Sequence, residues 1–363
     1  MTIADRIHIT KRTGMSSRAV ALTNILAVVI ALAASGLVML FMGYNPVEIF
    51  GKIITASLST SNRISETMNK TILLTMLSLG IAVAFRMKFW NIGAEGQLYM
   101  GAFGAALIAF GFPDLPAWLL LPLMGLNGFL YGAIWAIIPA LIKLKFSTSE
   151  TLVTLMMNYI AISFISYLEV GPWKDPEALG APKIARFSDN ALMPSVLGVH
   201  AGWIIMLVLV VVMTIMMKYS KLGYQIDVLG ESETTARYAG MNTLNITLIA
   251  VAISGGLCGV GGFMQASAIE KSITHQMSGG LGFTAVITAW LAKLKPPVIV
   301  VVAFLFSMLL QSGKSLQIMG IPSSITEVLQ GVIIFFVLGS EFFINYRISF
   351  RKAEKSAEAV KEG

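Results

Sequence analysis

Apolar runs of about 20 residues alternate along this chain with short polar connectors that carry most of its basic residues. Such runs match the roughly 30 Å hydrocarbon core of a bilayer at a helical rise of about 1.5 Å per residue. They predict helices over about 20–43, 69–86, 117–142, 148–169, 201–218, 246–267, 296–312 and 324–345. A further helix starts inside a polar stretch near 91–98 and ends near Gly111. A short apolar piece ending at Lys293 and Lys295 has the length of a half-helix. The expected fold class is all-α: a polytopic membrane protein with about ten transmembrane helices, broken or half helices among them, and both termini cytoplasmic. The transmembrane domain is expected over 20–345, between a cytoplasmic leader at 1–19 and a charged tail at 346–363. Residues 44–68 read as an extramembrane segment, and Ser147 or Thr148 as the cap of the helix that follows.

The connectors set the orientation. With the N-terminus inside, 18 of the 26 Lys and Arg fall on the cytoplasmic side, as the positive-inside rule requires. The longest non-membrane piece, 170–200, with four prolines, then lies outside, and the polar loop at 219–245 lies inside.

Composition agrees with the periodicity and excludes several functions. Hydrophobic residues make up 56% of the chain and charged residues 12%, about half the charged share of soluble domains. The net charge of +7 is no sign of nucleic-acid binding, because the basic residues sit at the ends of apolar segments. A single cysteine, Cys258, can form no intramolecular disulfide. His8, His200 and His275 are far apart and lack partners at metal-ligand spacing, so no cofactor is expected.

The stretch from Arg86 to Leu98 breaks the apolar pattern where the chain re-enters the membrane. It holds Asn91, Glu95 and Gln97 among Gly93 and Gly96. An ionised carboxylate at the bilayer centre costs upward of about 2.5 kcal/mol, so Glu95 must face protein, water or a ligand. The glycines suit a broken helix, which membranes tolerate only where it is buried or lines a cavity. A transport path is the functional reading, and ion coupling through Glu95 is an alternative.

Other motifs are weaker. Gly313-Lys314-Ser315 imitates the end of a phosphate-binding loop, but Met308 stands where that motif needs Gly, and a simple loop is the better reading. Gly255 and Gly259 have the small-xxx-small spacing of close helix packing. Asn158, near the middle of its helix, suits either an interhelical hydrogen bond or a solute contact. Apolar positions 226, 229, 236 and 239 predict two short amphipathic helices, broken at Gly230 and stopped at Gly240.

Three ordered motifs carry a resemblance. They are Asn91-Ile92-Gly93-Ala94-Glu95-Gly96-Gln97, Thr154-Leu155-Met156-Met157-Asn158-Tyr159-Ile160 and Tyr238-Ala239-Gly240-Met241-Asn242. With them the chain, from about 20 to 345, resembles permease subunits of bacterial ABC importers of the ribose, nucleoside and branched-chain amino acid group. It is most similar in motif to nucleoside (simple-sugar-type) permeases. The resemblance implies a non-enzymatic transport subunit in the cytoplasmic membrane. Its implied partners are a second permease (a heterodimer, or a homodimer), a cytoplasmic ABC ATPase and an extracytoplasmic substrate-binding lipoprotein.

The resemblance also implies a translocation path along Asn91, Glu95, Gln97, Asn158 and Phe283, and ATPase coupling through Gly223, Ala236, Arg237 and Gly240. The implied solute is a nucleoside or related small polar compound. Ribose-like sugars, branched-chain amino acids and flavin-type vitamins are the alternatives. Where the family reads Gly-Tyr-Gly-Phe-Asp-Gly, this chain has Gly280-Leu281-Gly282-Phe283-Thr284-Ala285.

Overall fold

The computed structural model describes residues 7–11, 16–178, 180–318, 322 and 324–350. Its elements in chain order are β1 (Ile7–Lys11), α1 (Ser17–Phe41), α2 (Pro46–Leu58), α3 (Ser61–Arg86), α4 (Ala94–Gly111), α5 (Ala117–Phe146) and α6 (Glu150–Val170). There follow β2 (Ser195–Val196), β3 (Val199–His200), α7 (Gly202–Tyr219), α8 (Lys221–Glu231), α9 (Glu233–Tyr238), α10 (Thr243–Met264), α11 (Leu281–Leu291), α12 (Pro296–Ile318), α13 (Ser324–Asn345) and β4 (Tyr346–Phe350). Every expected membrane helix has its counterpart. Among the described residues, six helices are long and apolar enough to cross a bilayer as single straight spans.

Two units make up the chain. In the smaller, α1 packs on α13, and β1 pairs antiparallel with β4 in the register Ile7 to Phe350. The leader and tail thus hold a short two-stranded ribbon that their polar composition does not announce. The remainder of the tail, 351–363, lies outside the described residues.

The larger unit, Lys52–Met319, is organised around α3. Sixteen of its 26 residues are buried, including Thr71 to Phe85 without a gap, so this helix is surrounded by protein on all faces. It packs on α7, α10, α11 and α12. By contrast α5 and α6 bury about a third of their spanning windows, and their outward apolar faces suit lipid.

The tightest contacts run where α10 meets α4 and α5. A Cβ at Gly259 would overlap the Gly128 carbonyl, and one at Gly255 would overlap Ala136 and the Gly132 carbonyl. Backbones touch there, which is the close-packing role expected of those glycines.

Several boundaries differ from expectation for local reasons. Ser149 caps α6, its hydroxyl accepting from the Leu152 amide at 3.5 Å, while Ser147 adopts a left-handed conformation that ends α5. The segment 44–68, expected outside the membrane, is mostly helical, forming α2 and the first two turns of α3, which Thr60 caps. Helix α12 runs through to Ile318, so Gly313 belongs to a helix and not to a loop. Helix α8 continues through Gly230 to Glu231. The break falls at Ser232, whose side chain caps α9. Gly230 is needed for a different purpose: a Cβ there would overlap the carbonyl oxygen of Arg86. Gly240, at φ +74°, ends the pair as expected.

Candidate functional site

The site begins where α3 stops. Arg86 ends that helix, and the chain passes through a short non-helical stretch to Gly93, the N-terminal boundary of α4. This interruption is the broken helix expected from the polar motif. Asn91 is fully buried and holds the break together: its Nδ2 donates to Gln97 Oε1 at 3.2 Å and Ser254 Oγ at 3.0 Å. Its Oδ1 accepts from the Gly93 amide at 3.0 Å and from Gln97 Nε2 at 2.9 Å. Asn158 joins from α6, donating to the Ile92 carbonyl at 2.9 Å and accepting from the Gly96 amide at 2.8 Å. Unpaired amides in hydrocarbon are costly, so the freed backbone groups of a broken helix must find partners such as these.

Glu95, 2% exposed in the first turn of α4, crosses to a second helix start. Its carboxylate accepts from the Gly280 amide at 3.3 Å and the Gly282 amide at 2.7 Å, at the N-terminus of α11. Helix N-termini present unpaired amides and a partial positive charge, a natural seat for a carboxylate. At 11 residues, α11 is about 16 Å long, half of the hydrocarbon thickness. It is the expected half-helix. Gly282 lies so close to Glu95 that a Cβ would overlap the carboxylate.

Two further ties fix the segment before α11. The Tyr99 hydroxyl donates to the His275 carbonyl at 2.7 Å. Glu169 accepts from the His275 amide at 3.1 Å and pairs with its Nδ1 at 2.7 Å. At the other end of α11, Trp290 stacks on Trp90 with ring centres 5.5 Å apart, and Phe85 meets Trp90 edge-on at 5.2 Å. Both ends of the half-helix are therefore held by residues of the α3–α4 break or of α4 itself.

Beside this junction lies a cavity of about 550 Å³. Its walls come from α3, the π-helical turn 265–270 that continues α10, the segment 276–281 and α12. Sequence reasoning passes over these polar residues because they lie in separate polar stretches, around 66–70, 265–278 and 311, that only the fold brings together. Their helical spacing carries no signal until the fold converges them.

Of the residues expected along the path, Asn91, Glu95, Gln97 and Asn158 form one buried cluster. Phe283 stands apart in α11 and is 36% exposed. The residues expected to couple to the ATPase divide as well. Gly223 and Ala236 are buried within the chain, whereas Arg237 and Gly240 are exposed. The outward groups are Tyr224 and Tyr238, 63% and 90% exposed.

Two of the three acidic residues there have partners already. Asp227 pairs with Arg86 at 2.9 Å, and Glu233 pairs with Arg237 at 2.6 Å. Burial pushes the Asp227 carboxyl above its ordinary pKa, with Arg86 opposing and Glu231 reinforcing. Among the described residues no group of three or more His, Cys, Asp or Glu could hold a metal ion.

Residues 63–338 match the family described as the branched-chain amino acid transport system permease component. The chain is 30% identical to the glucose ABC transporter permease protein TsgB13 of Haloferax volcanii, over 90% of this chain and 89% of that protein. It is 27% identical to the nucleoside ABC transporter permease protein NupB of Lactococcus lactis subsp. cremoris, over 94% and 96% of the two chains. It is 28% identical to the guanosine ABC transporter permease protein NupP of Bacillus subtilis, over 88% and 93%. Such permeases are non-enzymatic, multi-pass subunits of the cell membrane that work with an ATPase and a solute-binding protein. This chain belongs to the family of branched-chain amino acid transport system permease components.

Proposed function

We propose that this subunit forms the import path for a nucleoside or related small polar solute, such as a simple sugar. The observation that carries the reading is Glu95, whose carboxylate joins the start of α4 to the start of the half-helix α11. Paired broken helices in a membrane protein line a cavity or pathway, and the polar cavity adjoins this pair. Asn91, Gln97 and Asn158 set the break, and Phe283 lies along the path beyond it.

The energy enters through α8 and α9. Arg86 leads directly from that pair to the break, through Asp227 and the close approach of Gly230. We place the ATPase against the outward face carrying Tyr224, Arg237 and Tyr238, with α8 and α9 on the cytoplasmic side. A second permease subunit, in a heterodimer, completes the path, and an extracytoplasmic lipoprotein delivers the solute. The names of relatives acting on nucleosides, guanosine and glucose support the solute class.

An ion-coupled carrier would need Glu95 to take up and release its proton. Both of its oxygens instead accept from backbone amides, which favours a structural carboxylate and ATP as the drive. Uptake of labelled uridine and glucose by cells carrying the complete transporter tests this. It should survive collapse of the proton gradient with ATP intact and stop when the ATPase is inactivated. The reverse pattern contradicts the proposal.

A further inference from the structure

We propose that the cavity beside Glu95 is a solute site that reads the hydroxyl groups of an uncharged solute rather than an aromatic base. The inference rests on the import role proposed above and adds the chemistry of recognition. At about 550 Å³ the cavity has the volume of a small-molecule site. Four carboxamides line it, from Asn69, Gln265, Gln276 and Gln311, with the carboxylates of Glu66 and Glu270. No aromatic ring is among the described residues of its wall, and those residues give a base nothing to stack on. Carboxamides and carboxylates side by side offer the donor and acceptor pairs that neighbouring hydroxyls need.

Much of this wall is already ordered. Gln311 Oε1 accepts from Lys70 Nζ at 2.6 Å, and its Nε2 donates to Glu66. Gln265 Nε2 donates to the Met277 carbonyl at 2.8 Å and to Glu270 at 3.3 Å. Asn69 differs. Its Oδ1 is shielded from solvent and has no hydrogen-bond partner. Such an atom is costly to leave unmatched, and a turn of the Asn69 carboxamide towards the cavity would let a solute hydroxyl donate to it.

Charge narrows the class further. Among the described residues of the wall, two carboxylates and one ammonium, Lys70, give a formal excess of one negative charge. A phosphorylated solute meets repulsion there, while a neutral nucleoside or hexose does not. The site therefore suits the ribose of a nucleoside or a sugar ring, which is the part those two solute types share.

The test uses the purified transporter complex without its binding protein, with uridine as the probe in saturation-transfer NMR. The ribose protons should receive more saturation than the base protons. Glucose should compete, and 2′,3′-dideoxyuridine and uridine monophosphate should compete at least about tenfold less well. Asn69→Leu should weaken uridine binding at least about tenfold, with the ATPase still co-purifying. Gln311→Leu, which removes a second wall carboxamide, should do the same. Dominant base signals, equal competition by dideoxyuridine, absence of any uridine signal, or unchanged binding in both variants would each overturn the inference. Loss of ATP-driven uptake of both uridine and glucose by the intact transporter would instead overturn the import reading beneath it.

Discussion

The seam of α4, α5 and α10 and the half-helix α11 are two ways of holding helices together in one unit. In the seam, Gly128, Gly132, Gly255 and Gly259 bring backbones into contact, with no side chain between them to adjust. Around α11, whose Ala285 and Ala289 are buried in the apolar core, further ties are made by side chains: Glu95 and Tyr99 before it and the Trp90–Trp290 stack at its end. Packing of the first kind is lost all at once if it is lost at all. Contacts of the second kind can exchange partners while the helices stay whole. The cavity lies against the second region.

The largest effect is expected from attacking the scaffold. Gly259→Leu forces a side chain into the Gly128 carbonyl and should cost about 3 kcal/mol or more. The measurement is the yield and thermal unfolding of the subunit in detergent, which should show little folded protein. A stable, well-behaved variant would mean that the seam is looser than its geometry.

Next in size is the exposed face proposed for the ATPase. Tyr238→Asp and Tyr224→Asp together should cut ATPase co-purification at least about tenfold, since aromatic side chains often carry interface energy. The subunit should still fold, because both residues are exposed. Ala236 is a poorer test than its motif suggests, as it is buried inside the chain.

A smaller effect is expected at Arg86→Gln. Its pair with Asp227 is part-exposed, at 29% and 44%, and such pairs contribute about 0–1 kcal/mol. Stability should hardly change, while transport per ATP hydrolysed should fall if the pair relays motion to the break.

The smallest concerns His200, whose imidazole burial pushes down to about 4. Its Nδ1 accepts from the Gly202 amide at 3.2 Å, which requires the neutral ring. The folded value lies below the unfolded one, about 6.5. Stability is therefore complete above that range and declines as the pH falls from about 6.5 towards 4. Unfolding measured from pH 7.5 to 5 should show this decline, and His200→Asn should flatten it.

The sequence discloses the two kinds of region unequally. The helices are legible because bilayer length and apolar composition leave few other options to the run around Ile72 in α3 or the glycine-rich run of α10. The broken helix at Asn91–Gln97 is legible too, because polar groups and glycines at that depth have only a cavity or protein to face. The partners of those groups are not. Nothing along the chain pairs Glu95 with Gly282, or Asn158 with Ile92, since these contacts join distant segments across the fold. The cavity residues escape for the same reason. Gly230 is legible as special but for the wrong purpose, as close approach to Arg86 and a helix break both require glycine.

The central claim is that Glu95 holds the half-helix at the floor of the solute path. Its most direct test is uptake of labelled uridine and glucose by the reconstituted transporter with Glu95→Leu. Leucine leaves the Gly280 and Gly282 amides without their acceptor, and hydrogen bonds to charged groups contribute about 1.5–3 kcal/mol each. The variant should assemble with its ATPase and hydrolyse ATP, while uptake falls at least about tenfold. Uptake at the level of the unmodified transporter would contradict the account.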